Sequence, residues 1–476
     1  MSAVRGSAFL ATVLWLLCAC TVGPDYHAPP APSGATAPLV SLNPAAETPT
    51  TPPDDWWRLY SDPLLDRLIA GAFAANADLD AAEANLSGAR AVLEAARAGR
   101  YPATTASAGA IYGRDAVTDE ILELTGRNPK TTWIFDDILD VSYEVDLFGR
   151  VRRSIQAARA DAQVAAAARD GLRVTVAAET TRAYAQICTL GEEIAVARRS
   201  LDLVTREAQI VAARREAGAG SEFDVVRAQE LVADVRATIP PLDGQRRSAL
   251  FELTALLGRT PVNAAIDAER CVTAPRLVAL IPIGDGAALL KRRPDVRQAD
   301  RRVAAATALI GVATADLYPR ISLTGLYGGA AASLGALTTQ AGLTWGVGPS
   351  ISWSFPNQSA PRARVRQAEA NVAAVLAQFD SVVLQALKEV ESALAAYSAE
   401  LDRRQAIGDV QEKAHRALDM AHGQFIAGSI STLDLLTSEE SVVTADAAAA
   451  ASDAALVGDQ ISVFKALGGG WRAAQR

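Results

Sequence analysis

The chain has 476 residues, half of them apolar but only 5% aromatic, with a formal net charge of -8 and a pI near 5.2. That length suffices for two or three ordinary domains, the alanine load argues for packed helices, and the acidic balance excludes the basic face that nucleic-acid binding requires. The only histidines are His27, His415 and His422; the last two stand two turns apart on one expected helix, with no third ligand nearby. They are expected to be solvated surface residues, so no metal is assigned.

Met1 to Ala19 carries one basic residue, Arg5, and then an apolar run from Phe9 to Leu17 that is too short to span a bilayer as a mature helix. Residues 1–19 therefore read as an export signal. Leu17-Cys18-Ala19-Cys20 resembles a bacterial lipobox, in which Cys20 is acylated and becomes the first residue; ordinary cleavage leaving a spare cysteine is the alternative. An Asp at position 21 would, in such lipoproteins, favour retention in the inner membrane, so Thr21 points outward. Residues 20–55 hold Pro29, Pro30, Pro32, Pro52 and Pro53 and read as an extended, lipidated tether.

A first structural unit spans residues 56–258. Trp56, Trp57 and Tyr60 lead into Asp62-Pro63, where Asp62 caps a helix and Pro63 takes its first position. Asp78 to Arg100 reads as a helix stopped by Tyr101-Pro102, and Thr104 to Tyr112 as a strand leading into a polar loop. The returning strand, Leu139 to Phe148, alternates Leu139, Val141, Tyr143 and Val145 with Asp140, Ser142, Glu144 and Asp146, the pattern of a strand between oil and water. Gly149 then releases a proline-free helix reaching Ala217, a rod of about 100 Å. Gly218 stops it, and Ser221 with Asp224 forms a capping box that starts a return helix ending near Leu257-Gly258.

Beyond an irregular linker, 259–292, the order repeats over 293–468, leaving a tail at 469–476. Tyr318-Pro319 echoes Tyr101-Pro102; Ile321 to Tyr327 and Leu343 to Phe355 supply two more strands; Pro361 starts a second long helix. Gly428, Ser431 and Asp434 repeat Gly218, Ser221 and Asp224 at a constant spacing of about 210. Four strands cannot close a barrel that buries its own edges, so the chain must oligomerise. Two copies are conceivable, whereas three make about twelve strands, the smallest closure that leaves a lumen.

The junction Tyr143-Glu144-Val145-Asp146-Leu147-Phe148-Gly149-Arg150, the run Arg292-Arg293-Pro294-Asp295-Val296-Arg297-Gln298-Ala299-Asp300, both Gly-x-x-Ser-x-x-Asp hairpins and the lipobox occur in order and largely in duplicate. Together they resemble the TolC-like outer membrane factor family, in its OprM/NodT-like lipoprotein branch. The resemblance implies a mostly α fold with a membrane β-barrel: a homotrimer whose twelve-stranded barrel continues as a long periplasmic α-helical barrel. It implies a palmitate-bearing lipoprotein of the bacterial outer membrane. It implies no enzyme and no cofactor, but the exit duct of a tripartite, RND-type efflux system. Such a duct passes drugs or small solutes and works with a periplasmic adaptor and an inner-membrane transporter. A type I protein secretion duct and a non-conducting, periplasm-spanning structural lipoprotein are the alternatives.

The same resemblance places a gate just after the second hairpin, at Leu433, Asp434, Thr437 and Glu440. Thr437 stands where lipoprotein members place an aperture aspartate and Glu440 where they carry an arginine, and Asp434 also has its capping role. Adaptor docking is implied at the tips, Gly218, Ser221, Gly428 and Ser431, whose turn chemistry is a sufficient reason for them as well. Cys188 and Cys271 remain after processing. Helix lengths place them within about 10 Å along the axis, so either a disulfide or two buried thiols is open.

Overall fold

The computed structural model describes residues 21–41, 43, 47–114, 124–126, 128, 131–277, 280–284, 286–340 and 342–469. The expected export signal, Cys20 and all but the first residue of the tail lie outside them. In chain order the elements are β1 (Glu47–Thr48), α1 (Pro63–Ala75), α2 (Ala77–Ala98), β2 (Ala103–Gly113), β3 (Thr132–Val145), α3 (Arg150–Glu216), α4 (Glu222–Leu256), β4 (Ile281–Pro282), α5 (Gly286–Arg292), α6 (Pro294–Ala315), β5 (Arg320–Ala331), α7 (Leu334–Leu337), β6 (Leu343–Ser352), α8 (Ser359–Ile426) and α9 (Thr432–Ala466). Two compact units divide them: Met1–Pro29 with Ser87–Val164 and Ala299–Gln378, and Pro30–Leu86 with Ala165–Gln298 and Phe379–Arg476.

The first unit holds a four-stranded antiparallel sheet in the order β2-β3-β5-β6. Strand β3 begins earlier than the Leu139 alternation predicts, because Thr132 to Ile138 already pairs with Ser107 to Gly113. It ends at Val145 rather than Phe148, because the next side chain is needed elsewhere: Asp146 accepts from the Val151 and Arg152 amides at 2.9 and 2.8 Å and caps α3. The helical parts of this unit pack through small residues, with Leu93 of α2 against Val151, Ile155, Ala158 and Ala162 of α3.

The second unit is built on one large core. Asp62 caps α1 through the amides of Leu64 and Leu65, with Pro63 at the first position. Leu65, Ile69 and Ala72 of that helix then bury against Tyr184 and Ile187 of α3, Leu253 of α4, Leu394 of α8 and Ile461 of α9. Each fully buried Leu or Ile contributes about 1.5–3 kcal/mol. Trp56, wholly buried, stacks on Phe464 at 4.7 Å. Cys188, on the buried side of α3, is bonded to Cys271 with the Cα atoms 4.7 Å apart.

The proline-rich stretch is tied down instead of hanging free. Glu47 and Thr48 pair in parallel with Ile281 and Pro282, and Ala35 and Leu39 are buried. Proline limits donors but does not prevent side-chain burial.

Candidate functional site

The sheet has two chemically distinct faces, as period-two alternation requires. Pairing places Leu139, Tyr327 and Trp345 in one row, Val141, Gly325 and Val347 in the next, and Val145, Ile321 and Ile351 nearer the helices. From Leu139 towards the helices this face is apolar and uncovered, with Trp345 70% and Val347 72% exposed; beyond Leu139, towards Phe135, it also carries Asp137, in the row of Gly329 and Leu343. The opposite face carries Asp140, Ser142, Glu144, Thr324, Gly348 and Ser350 in the intervening register, with Leu326 beside Asp140 as an apolar member. Aromatic rings mark both ends of the strands. Trp133 contacts Tyr112 and Phe135 at one end, while Phe148 stacks on Tyr318 and Trp353 on Phe355 at the other. An apolar band between aromatic girdles over a polar inner face is what a bilayer selects in a barrel wall.

Residues 21–26 are seated at the helix end of this sheet. Buried Arg153 donates to the carbonyls of Val22 and Gly23 at 3.2 and 3.0 Å and pairs with Asp25 at 2.8 Å. The Val22 amide donates to Phe148 O, and Tyr26 donates its hydroxyl proton to Asp300. Gly149, at φ 81°, admits the chain here: a Cβ on it would lie 2.5 Å from Thr21 Cγ2. Cys20 itself lies outside the described residues, but its neighbour is therefore beside the Phe148–Tyr318 aromatic pair.

In the second unit the two helical hairpins use the same local chemistry. Gly218 and Gly428 have φ of 79° and 70°, the left-handed conformation glycine tolerates. The Ser221 hydroxyl accepts from the Asp224 amide at 3.1 Å, and Ser431 accepts from that of Asp434 at 3.2 Å. Each aspartate in turn accepts from its serine's amide at 3.0 Å. Ser431 thereby holds the Asp434 carboxyl below the usual aspartate range. Around these turns Phe223, Ile426 and Leu433 are left exposed.

Leu433, Asp434, Thr437 and Glu440 share one exposed face of α9, while Leu435, Leu436, Glu439 and Val442 form its buried face. Thr437 spends its hydroxyl proton on Leu433 O at 2.8 Å. Glu440 is exposed and has no ion-pair partner among the described residues. Sequence spacing brings these four together; it does not reveal what lies behind them.

Behind them is a group that sequence reading misses. His415 is an exposed residue 2.8 Å from Asp446, as expected of a surface histidine. His422 departs from that expectation: it is half-buried, and its Nδ1 is 3.7 Å from Glu207 Oε1. One donor atom from each of Glu207, His422 and Glu439 lies within 4.8 Å of the others. The two carboxylates beside His422 are absent from its local sequence because they come from other helices, Glu207 from α3 and Glu439 from α9.

Comparison with known proteins gives a consistent result. A family model described as outer membrane efflux protein matches residues 68–259 and 287–469. The antibiotic efflux pump outer membrane protein ArpC of Pseudomonas putida is 27% identical over 464 residues, covering 97% of this chain and 95% of its own. The probable outer membrane lipoprotein SilC of Salmonella typhimurium is 26% identical over 468 residues, covering 97% and 98%. The solved structure of the outer-membrane channel OprN superposes with a TM-score of 0.85 at 34% identity, covering 95% of this chain and 100% of that one. The two-faced sheet, the long capped helices and these matches together place the chain in the outer membrane efflux protein family, among the TolC-like channels: it is a duct of the outer membrane and not an enzyme.

Proposed function

We propose that three copies of the chain join edge to edge, β6 of one to β2 of the next, into an outer-membrane barrel of about twelve strands, and that this trimer is the exit duct of a tripartite efflux system. The observation that carries the reading is the four-stranded sheet with an apolar outer face, a polar inner face and an unpaired strand at each edge. A periplasm-spanning scaffold would need no such sheet. The name of the Pseudomonas putida relative favours drugs or other small solutes over polypeptides as cargo. The seat of residues 21–26 beside the aromatic ring, and the lipoprotein name of the Salmonella relative, support acylation at Cys20, which would put the acyl chains at bilayer level.

Exposed Phe223, Ile426 and Leu433 around Gly218, Ser221, Gly428 and Ser431 make the hairpin tips the docking surface for a periplasmic adaptor, itself coupled to an inner-membrane transporter. The exposed face of α9 is the gate. Because Asp434 is engaged in its cap, Glu440 is the free carboxylate of the constriction and favours cations.

Purified protein in mild detergent should have the mass of a trimer and conduct ions in planar bilayers. A monomer that conducts nothing overturns the duct. Within a conducting trimer, Glu440→Ala should raise conductance and lower cation selectivity; no change in either removes Glu440 from the gate.

A further inference from the structure

Three helix stripes meet just behind the exposed face of α9, and each is apolar except at one position. On α9 the stripe is Leu435, Glu439 and Val442; on α3 it is Val204, Glu207 and Val211; on α8 it is Leu418, His422 and Phe425. The three polar positions fall in the same layer, so a uniform hydrocarbon seam is interrupted once, on all three helices together. Leu203, Leu418, Ala421, Phe425, Leu435 and Val442 close around it. Such an interruption is costly unless every member is satisfied.

It is not satisfied by the protein alone. Glu439 is 0% exposed, and neither of its carboxylate oxygens has a hydrogen-bond partner; Glu207 Oε2 is likewise buried and unpartnered. Neither carboxylate is paired with a lysine or arginine among the described residues. The nearby Arg214 guanidinium lies over the Phe425 ring, 4.1 Å from its centroid. Two carboxylates facing each other in an apolar seam call for positive charge between them.

We propose that Glu207, His422 and Glu439 form a binding site for one divalent transition-metal cation of the zinc type. Two carboxylates and a divalent cation make a neutral group. One imidazole nitrogen with two carboxylate oxygens suits zinc-type ions, whereas calcium and magnesium prefer all-oxygen shells. Metal–ligand bonds of about 2.1 Å set tetrahedral edges of about 3.4 Å, so donors now within 4.8 Å need only side-chain rotations to close on an ion. Water completes the fourth position. The bound ion ties α9, directly behind Leu433, Thr437 and Glu440, to α3 and α8. Any effect on conduction rests on the gate reading; binding itself does not.

The test uses the full chain in detergent, without a histidine tag and stripped with chelator. Titration with zinc chloride should show one saturable site per chain and raise the unfolding midpoint by several degrees, while magnesium and calcium at the same concentration leave it unchanged. Glu439→Gln and His422→Gln should each lose the saturable site and the rise. Glu439→Gln keeps the side-chain shape and replaces a carboxyl that is buried without a hydrogen-bond partner, so its metal-free midpoint should be no lower than that of wild type. The proposal is overturned by an absence of zinc binding to wild type, by an undiminished rise in either variant, or by calcium matching zinc. The duct reading survives all three, since trimer mass and conductance are measured independently.

Discussion

Arg293 closes the end of the last helix, donating through Nη1 to the main-chain oxygen of Ala466 at 2.8 Å. Its Nη2 reaches Glu389 at 2.6 Å and Asp295 at 2.7 Å, so one buried guanidinium joins α9, α8 and the start of α6. Asn76 makes the corresponding joint in the first repeat, at the same offset that separates Tyr101 from Tyr318. It donates through Nδ2 to Leu256 O at 3.3 Å and caps α2 by accepting from the Asp78 and Leu79 amides at 3.1 Å. Both return helices end in a left-handed glycine at this joint, Gly258 and Gly468. A Cβ on Gly258 would stand 2.1 Å from Ala75 O, so only glycine fits there.

The two joints should differ in worth. Arg293→Ala removes a charged donor from a buried helix end and should lower stability by about 2–3 kcal/mol. Asn76→Ala removes a neutral cap and should cost about 1 kcal/mol. Thermal unfolding of the two variants under one set of conditions compares them. An Asn76→Ala loss as large as that of Arg293→Ala would show that the guanidinium network adds nothing beyond the cap.

The second hairpin allows a prediction with a definite sign in pH. Ser431 holds the Asp434 carboxyl below its ordinary value, so the stabilisation from that charge is complete above the unfolded value, about 4, and is lost as pH falls through the depressed folded value. Hydrogen exchange of the first turn of α9 should therefore show the same protection between pH 5 and 8. Ser431→Ala should weaken it throughout that range by about 1 kcal/mol. A wild-type cap already lost near pH 6 would mean that Asp434 is not ionised as the geometry requires.

The duplicated frame is legible in the sequence because each of its devices is local. Alternation at Leu139 to Val145, the glycine stops and the two Ser-Asp boxes need only neighbouring residues to be read. Boundaries are less legible where one residue has two uses: Asp146 continues the alternation but serves as the cap of α3. The group Glu207, His422 and Glu439 depends on which helix faces which, and no local pattern encodes that. One signal was available, since Glu439 interrupts the apolar spacing of Leu435 and Val442. The seat that Arg153 makes for Val22, Gly23 and Asp25 is hidden for the same reason, because those three partners are 128 to 131 positions away.

The Cys188–Cys271 bridge fastens α3 to the linker that follows α4 across 83 positions of chain. Arg246 braces the same place, donating to Ile187 O at 3.1 Å and Cys271 O at 2.9 Å. Replacing both cysteines by serine should lower stability by about 2–4 kcal/mol through the freer unfolded chain. Denatured, unreduced wild type should present neither sulfur to a thiol reagent. Labelling of both would show two free thiols in the protein as made.

The last prediction separates the two faces of the sheet. Val347 and Ser350 belong to the same strand, β6, but opposite parity puts Val347 in the apolar row with Val141 and Gly325, and Ser350 in the polar row with Ser322 and Glu144. If the apolar face meets lipid, a charge at Val347 must enter hydrocarbon, and Val347→Arg should cost about 2–4 kcal/mol near the bilayer midplane. Ser350→Arg meets water and the Glu144 carboxylate, so it should fold and insert normally and change only ion selectivity. Tryptophan fluorescence and protease protection on refolding into vesicles report insertion directly. A soluble scaffold predicts nearly equal, small effects at the two positions, because both would face water; an inside-out sheet predicts the reverse order. Only a membrane barrel with its polar face inward makes Val347→Arg fail to insert while Ser350→Arg succeeds.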